Sequence, residues 1–555
     1  MEIGADAHTN RSLLQLPRMT RWRLALVATA LLLSLPVLVI LGSLALPFSP
    51  VWHHLIETVL SDYVVNSLLL MAGVGAGTFL LGVSMAWLVA MCEFPGRRLF
   101  SWALLLPMAM PAYIIAYTYT GMLDFSGPLQ SWLRDSFGWR YGDYWFPQIR
   151  SLGGAICMLS LVLYPYVYLL ARTAFAAQST ALLEASRSLG LGAGRTFFSV
   201  GLPMARPAIA GGVSLALMET LADFGTVDYF GVSAFTTGIF RTWYGLGELN
   251  TAAQLSSFLL LFVFTLFAIE RSSRGRMRFH HAATRGQVTR IQLQGWRQIV
   301  CTAAAACVVL AGFALPATQL LLWAAGPGSA QFDAAFFALA GNTFMLAALA
   351  SCCCLGVALL LAYGKRLHPH RVETVAVRTA AMGYAVPGTV IAVGVLVPFA
   401  WLDNQVDGFL REHFGISSGL LLSGSLAALV FAYLVRFLAV SLQSVEAGLA
   451  RIRPSLDDSA RSLGASPASV LRRVHVPMLR ASLLSALLLV FVDVLKELPA
   501  TLILRPFNFN TLAVRTYELA SDERLVDAAA PALAIVLIGL LPVILLNRGA
   551  RAGNE

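Results

Sequence analysis

Five ionisable residues stand deep inside apolar sequence: Glu219 and Asp223 in one run, and Asp493, Lys496 and Glu497 in another. Glu219 and Asp223 are four residues apart, as are Asp493 and Glu497. A helix through either pair would turn both carboxylates to one face, with Lys496 placed to neutralise one of them. At about 2.5–3.5 kcal/mol each on insertion scales, five charges facing lipid would cost on the order of 15 kcal/mol, so they are expected to face inward. Two roles fit them there. They can steady an interrupted bundle through ion pairs and hydrogen bonds, or they can line a path for a hard cation, which favours oxygen ligands.

Other chemistry is sparse. No nucleophile–base pair stands out. The seven cysteines, Cys92, Cys157, Cys301, Cys307 and Cys352 to Cys354, lie nearly all in apolar segments without metal-ligand spacing and read as packing residues. A phosphate-binding Gly-x-x-x-x-Gly-Lys-Ser/Thr loop is lacking: Gly364-Lys365 is followed by Arg366. The chain is therefore expected to be no enzyme and to bind no cofactor of its own.

The elements that carry these residues are apolar spans. Of 555 residues, 58% are hydrophobic and 12% charged, against about 25% charged in soluble proteins. Twelve runs are long enough to cross a bilayer, near 24–47, 64–91, 99–123, 151–177, 205–232, 252–269, 299–325, 341–363, 373–401, 418–442, 480–504 and 528–547. The first is too long for a signal-peptide core and reads as an uncleaved span. Arginines concentrate in alternate loops, among them Arg97-Arg98, 172–206, 271–297, 365–378, 451–480 and 548–551. By the positive-inside rule these loops and both termini are cytoplasmic, and the net charge of +10 sets orientation, with no nucleic acid as partner.

The chain also repeats itself. Glu184/Asp458, Arg187/Arg461, Gly190/Gly464, Pro203/Pro477, Met204/Met478 and Arg206/Arg480 all stand 274 residues apart, and this register continues through Glu219/Asp493 and Asp223/Glu497. Asn66-Ser67/Asn342-Thr343, Ala86/Ala362 and Pro111/Pro387 are separated by 276. The division is a tail 1–23, a half 24–269, a basic linker 270–297, a half 298–547 and a tail 548–555. Six spans per half leave the halves in the same orientation, related by an axis along the membrane normal. The fold class is thus all-α, with twelve transmembrane helices in two tandem parallel halves.

Each half carries a polar loop, 178–207 and 450–481, that reads as a helix-turn-helix. In the second, Ser455 is expected to cap a helix presenting Leu456, Ala460 and Leu463 on one face, Gly464 to end it, and Ser466-Pro467 to open the next. The first keeps the face Leu182, Ser186 and Leu189 but has Gly192-Ala193 at the turn, so it should be looser.

Glu184-Ala185-Ser186, Gly190 and Leu202-Pro203 resemble the EAA loop by which permeases of binding-protein-dependent ABC importers dock in a cleft of the ATPase subunit. The second copy departs from that pattern with Asp458-Ser459-Ala460 and retains Gly464 and Pro477. The chain further resembles the fused two-half permeases of ferric-iron importers in TYTGMLDFSGP (118–128), DYWFPQIRSLG (143–153), ETLADFGTVDYFG (219–231), FTTGIFRTW (235–243), KELPATLILRPF (496–507) and YELASDER (517–524). That resemblance implies a bacterial inner-membrane permease subunit, with two copies of a cytoplasmic ATPase at the two loops and a periplasmic or lipid-anchored solute-binding protein outside. Glu184, Ala185, Gly190 and Pro203 would serve one ATPase contact, and Asp458, Ala460, Gly464 and Pro477 the other. The acids and Lys496 would line the path, and Arg241 and Arg515 would help dock the receptor. Thiamine and aminoethylphosphonate permeases share much of the pattern. A proton-driven secondary transporter using the four acids as a relay is the rival of another class.

Overall fold

The computed structural model describes residues 21–140, 142–178, 188, 192–275, 290–326 and 333–552. Helix dominates them. Their only strands are two-residue pieces, Cys92–Glu93 beside Ile291–Gln292, which pin the second half's leading segment to the loop after the second span. Among the described residues nine helices are long and apolar enough to cross a membrane, two more candidates are sharply bent pairs, and a shorter apolar helix covers Ala529–Ile544. These elements fall on the twelve stretches marked by hydropathy.

The differences lie where proline or a buried polar group interrupts a span. The third run is a helix Arg97–Ala103, a 3-10 turn Leu106–Ala109 and a helix Ala112–Leu123, with a bend of 93° at Met110–Pro111. Pro107 and Pro111 lack the amide hydrogens that a continuous helix would need there. The ninth run behaves alike: Arg371–Ala380 is a separate amphipathic helix, and the long helix starts only after Pro387, as Gly388–Phe414. The tenth lies further on than its hydropathy run, at Leu426–Leu449.

Each half is built on a triangle of helices. In the first, Leu60–Met91, Leu152–Ala176 and Leu202–Ala222 pack on one another; in the second, Ala334–Leu367, Leu426–Leu449 and Arg480–Leu495 do the same. The leading span of each half leaves its own triangle. Arg21–Gly42 packs on Arg371–Ala380 and Gly388–Phe414, where the buried pair Arg23–Glu373 (2.7 Å) fastens it and Gly394 lets the Pro36 carbonyl approach. Reciprocally, Leu315–Ala325 packs on Ala112–Leu123, stacking Trp323 on Tyr117 with centroids 6.4 Å apart, while Tyr119 donates to the Ala311 carbonyl (2.6 Å). The halves are therefore interlocked.

Candidate functional site

The fifth and eleventh spans end inside the protein at matching depths. Leu202–Ala222 stops at Asp223, whose backbone is extended (φ −67°, ψ 131°), and a short helix Gly225–Tyr229 follows. Arg480–Leu495 stops at Lys496, and Pro499–Leu504 follows. Asp223 and Glu497 thus lie beyond the helices that carry Glu219 and Asp493, which corrects the expectation of continuous helices presenting both acids of a pair on one face. The physical reason is local capping. The Asp223 carboxylate accepts from the backbone amides of Thr226 and Val227 (both 3.1 Å) and from the Thr226 hydroxyl (3.0 Å), and Glu497 accepts from the amide of Ala500 (3.1 Å). Each acid satisfies amides that the broken span would otherwise leave bare.

All five sequence-nominated charges border one cavity of about 150 Å³ between the halves. Its wall is built from matching positions: Glu219 and Asp493, Ala222 and Lys496, Asp223 and Glu497, Val162 and Arg436, each pair 274 residues apart. The cavity therefore sits on the axis relating the halves. Its charges are largely answered from within. Lys496 Nζ lies 2.9 Å from Asp493, and Arg436 Nε 3.4 Å from Glu497. Glu219 lines the cavity without an ion pair or hydrogen bond among the described residues. The described residues hold no group of three or more acidic, His or Cys side chains arranged to bind a metal ion.

Arg436 was missed by the sequence reading, although a lone arginine inside the run 418–442 was a visible signal. Its partner in the chain's own repeat is Val162, so the guanidinium is an addition of the second half. Room for it comes from Gly388, where a Cβ would meet Arg436 Nη1 at 2.2 Å and Glu497 Oε1 at 2.6 Å; the first half has Ala112 at that place.

Beyond the cavity, side chains of the two halves meet. Tyr517 donates to the Asp228 carboxylate and packs edge-on to Tyr113, and Arg241 lies 3.4 Å from Asp228. Arg515 approaches Glu518 (3.7 Å), which also pairs with Arg505 (2.9 Å). Arg241 and Arg515 are thus committed to partners within the chain while staying 49% and 39% exposed.

Of the first polar loop, Glu184, Ala185, Gly190 and the face Leu182, Ser186 and Leu189 lie outside the described residues. Pro203 stands in the first turn of Leu202–Ala222. The second loop is described in full. Its helix is Pro454–Ser462 with Arg453 at the cap, so Ser455 falls inside the first turn, a correction that follows from the fixed φ of Pro454 suiting it to N1. Gly464 has φ +80°, and Ser466 accepts from the Ser469 amide (3.3 Å) to open Pro467–Val470. Leu456 and Leu463, 40% and 87% exposed, present an apolar edge to the outside with Ala460 between them. Pro477 precedes the bend that leads into the eleventh span. Asp458, in register with Glu184, is exposed and, among the described residues, paired only with Arg461 (2.8 Å).

The anchoring acid is its neighbour, Asp457, which the sequence reading did not single out. Arg366 donates to it (2.7 and 2.8 Å), and it also contacts the fully buried His475. Burial raises the Asp457 carboxyl, but the hydrogen bonds from Arg366 and His475 outweigh it and hold the group below the usual carboxylate value.

Comparison with known proteins agrees with this architecture. The family model "Binding-protein-dependent transport system inner membrane component" matches residues 78–278 and again 355–552, one match in each half. The Fe(3+)-transport system permease protein FbpB 2 of Haemophilus influenzae is 25% identical over 497 residues, covering 88% of this chain and 90% of that protein. The putative ferric transport system permease protein FbpB 1 of the same organism is 24% identical, covering 82% and 72%. The putative 2-aminoethylphosphonate transport system permease protein PhnV of Salmonella typhimurium is 32% identical over 167 residues, 30% of this chain and 57% of that protein. Two family matches, each spanning most of one repeat of an all-α polytopic chain, place this protein in the binding-protein-dependent transport system inner membrane component family, as a permease.

Proposed function

We propose that the chain forms the translocation path for ferric iron, delivered by a solute-binding protein and driven by a separate ATPase. The observation that carries this reading is the axial cavity with four carboxylates in its wall, two from each half. Hard cations favour such oxygens. Because the acids are spread around the wall, unlike the close cluster of a chelating site, a passing ion would be held weakly enough to leave again, as conduction requires. The ferric relatives match along both halves, which supports the same cargo.

Two ATPase copies would dock at loops 178–207 and 450–481. Exposed Leu456 and Leu463 in the second loop and Phe198, 69% exposed, in the first offer apolar contact for them. These loops and both termini would then face the cytoplasm. The receptor would dock on the opposite side, where Arg241 and Arg515 could exchange their internal partners for an acidic rim.

Arg436 and Lys496 favour a second reading, an anionic solute such as 2-aminoethylphosphonate. Reconstituted chain and ATPase, offered receptors loaded with ferric iron, thiamine or 2-aminoethylphosphonate, separates the two. The ferric-loaded receptor is expected to stimulate ATP hydrolysis several-fold more than the others. Preferential stimulation by the phosphonate-loaded receptor would replace the first reading by the second.

A further inference from the structure

The two polar loops share a register, but among the described residues their contacts with the bundle differ in chemistry. In the first half Trp87, on the second span, packs edge-on to Phe175 and Phe197 with centroids 5.2 and 5.0 Å away. It also fills the space beside Gly201, where a Cβ would meet its ring at 2.5 Å. In the second half the place of Trp87 is taken by Tyr363 and that of Gly201 by His475, whose rings touch at 5.3 Å. Here the fastening is ionic. Arg366, at the end of the eighth span (Ala334–Leu367), holds Asp457 of the loop helix and donates to the carbonyls of Leu449 (2.6 Å) and Ile452 (2.9 Å). In the repeat Arg366 answers to Ala90 and Asp457 to Leu183, two residue types that cannot form this ionic link at those positions.

The helices that follow differ in the same sense. In the first half Gly194–Ala222 continues from the loop into the fifth span as one candidate span of 29 residues. A push on that loop passes straight along its axis. In the second half Pro467–Met478 meets Arg480–Leu495 at 81°. An axial push is lost at such a corner, and a side link is needed to carry it.

We propose that the Arg366–Asp457–His475 contact is the link through which the second coupling loop moves the eighth span and, through it, the charged end of the eleventh. Ala334–Leu367 packs directly against Arg480–Leu495, which leads to Asp493 and Lys496 in the cavity wall. Charge-assisted, forked hydrogen bonding resists sliding in a way that aromatic contact does not. The two halves thus receive the ATPase stroke differently, one along a helix and one across a latch. Asp457, Arg366 and His475 are positioning residues, since none of them borders the cavity.

This inference rests on the reading of the loops as ATPase contacts. Its test uses the full chain with its ATPase and ferric-loaded receptor in lipid vesicles. Asp457→Asn removes the charge and keeps the shape, and Asp457→Glu restores the charge. For Asp457→Asn the expected result is at least a tenfold rise in amide exchange over 454–470, retained ATPase binding, and a several-fold rise in ATP hydrolysed per ion imported. Asp457→Glu should recover most of the coupling. An unchanged ATP-to-cargo ratio in Asp457→Asn overturns the proposal. So does complete loss of ATPase binding, because the contact would then only shape the socket. Should Asp457→Asn fail to accumulate, His475→Leu, which removes its contact with Asp457, must show partial uncoupling, and normal coupling there overturns the proposal equally. Unaltered ATPase association in Leu463→Asp would remove the ATPase reading and the proposal with it. That failure is distinguishable from an intact reading with an unaltered ratio.

Discussion

Glu219 and Asp223 are both half-buried carboxylates bordering one cavity, yet their surroundings differ. Asp223 accepts three hydrogen bonds that hold the broken fifth span together. Glu219 accepts none among the described residues, and in the proposed path it is the acid left to meet cargo. Glu219→Gln should therefore lower ferric uptake tenfold or more while leaving expression and thermal stability close to normal. Asp223→Ala strands the amides of Thr226 and Val227, at about 1–3 kcal/mol for each group stranded, and should show first as a lower melting temperature in detergent. Gly388→Ala makes a sharper claim. The added methyl group cannot coexist with Arg436 Nη1 and Glu497 Oε1 as placed, so the ends of both side chains must shift and the melting temperature should fall by a few degrees. A melting temperature within a degree of the unaltered chain would contradict this view of Gly388. The paired acids were legible from sequence because charge in an apolar run is conspicuous. Arg436 and Gly388 were not combined, because their contact joins helices whose proximity no local pattern encodes.

At the scale of elements, the second polar loop shows what spacing conveys and what it leaves out. The turn at Gly464, the cap at Ser466 and the exposed edge of Leu456 and Leu463 follow from residue type. The start at Pro454 and the burial of Asp457 do not, since the partner that buries Asp457 is Arg366, 91 residues earlier. The same contact makes the loop acid-sensitive. A carboxyl held below its unfolded value of about 3.9 contributes stability above that value and loses it as pH falls through the lowered folded value. Protease nicking within 454–470 should accordingly be unaffected between neutral pH and about pH 5 and rise below about pH 4. In Asp457→Asn it should be high throughout. A loop equally protected at acid and neutral pH would show that Asp457 does not hold it. The bends at Met110–Pro111 and Leu479 mark the other limit, because hydropathy registers an apolar run and is blind to its direction.

For the whole molecule, the repeat announced two parallel halves, but hydropathy could not reveal that each half's leading span packs on the other. Arg21–Gly42 lies on the second half, held by the Arg23–Glu373 pair, and Leu315–Ala325 lies on the first. Neither half should then be stable alone. Halves made as separate chains divided within 276–289 should co-purify when expressed together and be degraded when expressed singly, and stable single halves would contradict the interlock. The interlock also holds the two halves together around the cavity to which both contribute acids. The most direct test of the proposed path as a ferric importer is uptake of radiolabelled ferric iron by vesicles holding the chain with its ATPase and receptor. The account predicts uptake that requires both ATP and loaded receptor and is lost in Glu219→Gln. Uptake by the chain alone, driven by a proton gradient and indifferent to ATP, would contradict it.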